Sequence, residues 1–149
     1  MAYFSEQLFL PHMDARTKDE VLQQLCKATM AQSQLPNTFY EYVLECECIG
    51  GTALGNLVAT PPPARPLGLE SLVMIGILDR PIPWDQEEVQ IVFLLSMKEG
   101  GDRNLPLFYK MISRFLMDKA LVRRLIKNQT FEEILSIFAI LSEEASRLD

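Results

Sequence analysis

Apolar positions along the chain change period twice, and the changes divide it into helices, then strands, then helices. Leu8-Phe9-Leu10 is a short apolar stretch ended by Pro11, suited to a strand or a buried arm. Thr17-Lys18-Asp19-Glu20 reads as a capping box, in which the hydroxyl accepts the Glu20 amide proton while the carboxylate reaches back. Val21, Leu22, Leu25, Ala28 and Thr29 follow at helical spacing, predicting a helix to about Gln32. Leu35-Pro36 interrupts it, and Asn37 is the expected N-cap of a second helix carrying Phe39, Val43 and Leu44. A glycine-marked loop, 50–56, leads into the short strand Leu57-Val58-Ala59-Thr60, which runs into Pro61-Pro62-Pro63. Three prolines offer no amide donors, so pairing is expected to stop there. Leu72–Leu78 and Val89–Leu95 are nearly continuous apolar runs, as in strands covered on both faces. Asp79–Glu88 joins them, and Pro81 and Pro83 are expected to prevent regular pairing in that connection. Beyond Gly100-Gly101, Leu105, Phe108, Met111, Ile112, Phe115 and Leu116 form one helical stripe. Asp118 caps a short helix, and Thr130-Phe131-Glu132-Glu133 opens the last one, with Ile134, Leu135, Phe138 and Leu141.

This order predicts an α+β fold, a three-layer α/β/α sandwich with a mixed central sheet flanked by helices, as one domain over residues 1–149. No repeat or linker divides it. A chain of 149 residues, 48% of them hydrophobic, has globular composition. Its formal net charge of −6 disfavours direct binding of nucleic acid, which depends on clustered cations. Arg123, Arg124 and Lys127 come nearest to such a cluster and read as the solvated face of a helix. No apolar run approaches the roughly 20 residues of a membrane span, so insertion is not expected. The N-terminus lacks the layout of a signal peptide. Cys26, Cys46 and Cys48 form neither a disulfide framework nor a metal spacing, and three free thiols in a reducing cytoplasm is the simplest reading. No cofactor is expected.

Particular words within this order carry a family resemblance. Ile49-Gly50-Gly51-Thr52-Ala53-Leu54-Gly55-Asn56, then Leu57–Thr60 and Pro61, resembles a stretch ending Leu-Gly-Ser-Thr-Gly-Ile-Gly-Asn, then a strand and Pro-His. That stretch belongs to IIA domains of the fructose/mannitol/nitrogen class of the bacterial sugar phosphotransferase system. Arg80-Pro81-Ile82-Pro83-Trp84, the run Val89–Leu95 and the Thr130–Leu135 segment also fit. The Pro-Ile-x-Trp element is most similar to degenerate IIA-like domains at the C-termini of sugar-operon transcriptional regulators. The resemblance spans roughly residues 5 to 142.

The resemblance implies that a phosphocarrier protein passes a phosphoryl group to a histidine, which hands it on. This needs an imidazole with a free nucleophilic nitrogen and preorganised donors for the phosphoryl oxygens. Here the family's acceptor position falls on Pro62, with Pro63 the only shift the proline tract allows. The position of a common family arginine is Cys46, and that of a second histidine is Asn104. Thr52, Gly55, Asn56, Thr60 and Arg65 remain as the expected partner-binding pocket. A domain silent in phosphotransfer follows as the expectation, regulatory in role. Its expected partners are the phosphocarrier protein, a IIB component, or the rest of a transcriptional regulator. The alternatives are a carrier using His12 or Cys46, or a small-ligand-binding module. His12 follows the first strand, away from the motif, and reads as an incidental surface residue. Cys46 and Cys48 read as partly buried thiols, and the glycines at 50, 51 and 55 as turn formers. Trp84, between prolines, is equally suited to an interface or to packing over the sheet.

Overall fold

The computed structural model describes residues 3–33, 35–49, 51–61, 71–98 and 100–147. After a 3-10 turn at Glu6–Leu8 come strand β1 (Phe9–Met13) and helices α1 (Lys18–Gln32) and α2 (Phe39–Ile49). Strands β2 (Ala53–Gly55), β3 (Leu57–Ala59), β4 (Leu72–Trp84) and β5 (Glu87–Ser96) follow, then α3 (Leu105–Met117), α4 (Lys119–Lys127) and α5 (Phe131–Arg147). The strands make one sheet in the order β1-β4-β5-β3-β2. β1 pairs with β4, and β3 with β5, in parallel; β4 with β5, and β2 with β3, pair antiparallel.

Alternation along β4 explains the three layers. Val73, Ile75 and Ile77 face Phe108, Met111, Ile112, Phe115 and residues of α4 and α5. Leu72, Met74 and Leu78 face Val21, Leu22 and Leu25 of α1 and Phe39 and Val43 of α2. The expected sandwich of a mixed sheet between helices is the observed fold. Gly76 lies in the α1-facing series, where a Cβ would stand 2.6 Å from Met13 Sδ and 2.8 Å from a Leu25 methyl. The missing side chain lets α1 and β1 close onto β4.

Local expectations fare unevenly. Thr17 caps α1 through Glu20 N–H at 3.2 Å, and the Glu20 carboxylate accepts from Arg16 N–H at 3.0 Å, one residue before the cap. Thr130 accepts from Glu133 N–H at 3.2 Å. Asn37 does not open α2: the Pro36 carbonyl accepts Phe39 N–H at 3.0 Å, and the helix begins one turn residue later than an Asn37 cap allows. Pro11 does not end β1, which continues to Met13. β1 is an edge strand, where a missing amide proton interrupts no ladder.

The largest correction concerns Asp79–Glu88, which is not an unpaired connection. β4 and β5 extend through it as a hairpin, pairing Ile82 with Val89, Pro83 with Glu88 and Trp84 with Glu87 around a two-residue turn. Asp85, in that turn, adopts φ 60°. Trp84–Glu87 closes the turn as a hydrogen-bonded pair, so Pro83–Glu88 is a non-bonded pair and the Pro83 nitrogen faces away from β5. Pro81 lies in the stretch between Ile77 and Ile82 where the register with β5 slips. β1 stops at Met13, opposite Leu78, so no strand lies there to miss their donors.

Candidate functional site

Strand directions give the sheet two distinct ends. At one end β3 runs out into Thr60 and Pro61, β5 finishes and β4 begins. Pro61 is buried, and its carbonyl accepts Leu95 N–H at 3.2 Å. Thr60 N–H donates to the Thr52 carbonyl at 3.1 Å, closing the open end of the β2–β3 hairpin. The Thr52 hydroxyl donates to the Glu47 carboxylate on the last turn of α2. α3 starts at this same end: Phe108 lies against Tyr3, ring centres 5.8 Å apart, and the Tyr3 carbonyl accepts Val73 N–H at 3.1 Å.

Cys46 is half-buried on α2, and its thiol pKa is raised by burial and then by the Glu47 and Glu45 charges. The Tyr109 phenol, on α3, is raised by burial and by the Cys46 charge. Asn104 is exposed just before α3 and makes no side-chain cap; its N–H donates to Asp102 Oδ1 at 2.8 Å. The Asp102 pKa is lowered, first by that bond and then by Ser71, Tyr3 and Lys98. A carboxylate thus stands beside the start of α3.

Thr52 and Thr60 are thus joined at the exit of β3, and Cys46 precedes the Glu47 that bonds Thr52. Asn104 stands at the start of α3, at the same end of the sheet. Gly55 and Asn56 do not join them, being the hairpin turn at the other end of β3, about 13 Å of extended chain from Thr60. Both adopt positive φ, 99° and 50°, and Asn56 Nδ2 donates to the Leu116 carbonyl at 2.7 Å, tying the turn to the end of α3. Pro62, Pro63 and Arg65 lie outside the described residues. His12 sits at the opposite end of the sheet, Nδ1 2.6 Å from Asp79 Oδ1, with both side chains exposed.

Sequence reasoning missed an ionic cluster behind this site. Lys18 Nζ stands 2.6 Å from Glu47 Oε2 and 2.9 Å from Asp85 Oδ2, and 5.6 Å from the centre of the fully buried Trp84 ring. Burial acts to lower the Lys18 pKa, but hydrogen bonds to Glu47 and Asp85 and their charges outweigh it, and the net shift is upward. The Glu47 side chain is only 3% exposed. The available signal was spacing: Glu47 falls four residues after Val43 and eight after Phe39, on the buried stripe of α2. Trp84 packs in the core under the hairpin arm.

Two further groups carry a pH prediction. Tyr3, facing Asp102 and Ser71, is pushed up to about 12 by burial and then by Asp102, and Cys26 is pushed up to about 12 by burial. Folding favours their neutral forms, so this stability is complete below the unfolded pKa values of 9.0 for the thiol and 10.0 for the phenol. It is lost as pH rises from there toward 12. The melting temperature should fall over that window, beginning later in Cys26→Ala; a flat alkaline profile contradicts the assignment.

An α/β/α sandwich in which α2 and α3 flank the exit of a short central strand is the architecture of phosphotransferase-system IIA components. The complex of enzyme IIA mannitol and phosphorylated enzyme IIB mannitol from Escherichia coli matches with a TM-score of 0.79 at 16% identity, over 91% of this chain and 96% of that one. The chain belongs to the family described as phosphoenolpyruvate-dependent sugar phosphotransferase system, EIIA 2, which matches residues 2–140. It is 30% identical to the nitrogen regulatory protein of Bradyrhizobium diazoefficiens, over 90% of each. It is 29% identical to the probable licABCH operon regulator of Bacillus subtilis, over 91% of this chain but only 21% of that protein, about a fifth of its length. Among the described residues no helix is long and apolar enough to cross a membrane.

Proposed function

We propose that this IIA domain does not accept a phosphoryl group and acts as a regulatory, protein-interaction domain in control of carbohydrate uptake, in the cytoplasm. The observation that carries this reading is the acceptor position itself. The chain leaves β3 through Thr60 into Pro61, Pro62 and Pro63, which supply neither a nucleophile nor a backbone donor. Two neighbours support it. Cys46 stands between Glu45 and Glu47 where the family offers a cation, and the backbone N–H of Asn104 donates to the Asp102 carboxylate. Negative charge at those places opposes a transferring phosphoryl group.

The carrier alternatives are weaker on chemical grounds. His12 is at the far end of the sheet from the family site. The raised pKa of Cys46 keeps its thiol protonated at neutral pH, whereas the thiolate is the nucleophile. The partners that fit are a phosphocarrier protein, a IIB component, as in the mannitol complex, or the remainder of a regulator such as the licABCH protein. Contact falls on the Thr52–Thr60 end and the start of α3. Incubation with phosphoenolpyruvate, the general transfer proteins and an active IIA control should leave this chain unlabelled while the control labels. Stoichiometric acid-labile label on this chain overturns the reading.

A further inference from the structure

We infer that the end of the sheet opposite the family site holds a binding site for a small phosphorylated polyol. The inference is independent of phosphoryl transfer and stands whether or not the acceptor position is silent.

A cavity of about 560 Å³ opens there, beside the C-terminal ends of the parallel pair β1 and β4. That volume is in the range of small-molecule sites, and the carboxyl ends of parallel strands are where such crevices form. Two irregularities side by side create it. Register slips between Leu10 and Met13 in β1, and between Ile77 and Ile82 in β4. His12, at the slip in β1, adopts φ 52°, a left-handed conformation that costs a non-glycine residue energy. It is pinned on both sides: its N–H donates to the buried Gln129 Oε1 at 2.6 Å, and its ring meets Asp79 at 2.6 Å. Beyond this point β1 turns into the connection to α1, while β4 continues with β5 as its only strand neighbour, forming the proline-bearing arm. The cavity is the gap between them.

Its lining has a definite chemistry. Arg16, from the connection before α1, and Arg80, from β4, both line it, and neither guanidinium has an ion-pair partner among the described residues. Two arginines without ion-pair partners lining one cavity suit a phosphate, which each guanidinium can hold by parallel N–H donors. The other polar side chains of the lining only accept. Asp14 and Asp79 contribute carboxylates, the second also bonded to His12, and Pro81 and Pro83 line it with no amide proton of their own. Acceptors without donors are satisfied by hydroxyl groups. Inorganic phosphate fills the arginine pair and leaves the acceptors unused. An unphosphorylated polyol does the reverse. A polyol phosphate uses both.

The experiment is a titration of the isotopically labelled chain with sorbitol 6-phosphate, inorganic phosphate and sorbitol, followed by amide chemical shifts. Sorbitol 6-phosphate should give saturable shifts at His12, Arg16 and Arg80, phosphate should bind more weakly, and sorbitol should give none. Arg16→Gln and Arg80→Gln should each weaken sorbitol 6-phosphate about tenfold, and both side chains are exposed enough to leave the fold intact. Asp14→Asn should weaken sorbitol 6-phosphate and leave phosphate unaffected. Equal affinity for phosphate and sorbitol 6-phosphate reduces the site to one for simple anions and overturns the polyol assignment. Absence of saturable shifts, shifts that persist in the double arginine variant, or shifts confined to Thr52–Thr60 overturn the site altogether.

Discussion

Pro62→His alone leaves the chain without measurable phosphoryl transfer. The substitution supplies a nucleophile but not its surroundings: the new imidazole enters a proline tract that restricts its aim. It also meets Cys46 and Asn104 where cations or donors would steady the developing charge. Losing one preorganised donor costs on the order of 3 kcal/mol in a transition state, or about two decades in rate. Two such losses together take transfer below detection. The carboxylates of Glu45 and Asp102 add an opposing field at the same end of the sheet. Pro62→His, Pro63→Gly, Cys46→Arg and Asn104→His in combination should recover labelling, with circular dichroism and melting curves establishing that each variant is folded. Full-rate labelling of the single variant would show that only the acceptor had been lost.

Lys18→Met destabilises the fold by about 3 kcal/mol, the low end of what removing one partner of a buried ion pair costs. The discount has two sources. The Lys18 side chain is 21% exposed, so solvent screens part of the interaction, and Glu47 keeps its bond from the Thr52 hydroxyl. What remains is a carboxylate on a buried turn of α2 with no cation near it, and an unpaired Asp85 at the tip of the hairpin arm. Adding Glu47→Gln to Lys18→Met should recover most of the loss, because the orphaned charge is then gone. Urea denaturation reads this as a shift of midpoint at constant slope. A single variant within about 0.5 kcal/mol of the parent, the scatter of ordinary surface changes, would mean that the cluster merely decorates the fold.

Elements whose signals are local were legible in the sequence. The Thr17 and Thr130 caps, the apolar stripe of α3 and the two central strands depend on neighbours within one or two turns. The errors arose where a tertiary fact decides. Pro81 and Pro83 argue against pairing unless it is known that β1 ends opposite Leu78 and frees that side of β4. Pro11 is read as a strand end unless β1 is known to be an edge. Glu47 looks like a solvated helix charge until Lys18, 29 positions earlier in the chain, is brought beside it. The candidate site was legible as a set of words along the chain. Their grouping was not, because Gly55-Asn56 and Thr60, four positions apart, lie at opposite ends of an extended strand. The cavity at the far end rests on two register slips, and nothing in the local sequence announces a slip.

The proline-bearing arm has a consequence for how the domain behaves in company. An uncovered strand edge ordinarily recruits strands from other molecules, and that is a route to aggregation and to fibrils. On this arm Pro81 and Pro83 carry no amide proton, so an incoming strand finds two donors of its ladder missing. Pro11 and the left-handed His12 interrupt β1, the edge strand on the same side of the sheet. Whether alone or tethered at high local concentration to other modules, the domain carries on this side of its sheet a protection against strand-to-strand self-association in its own backbone.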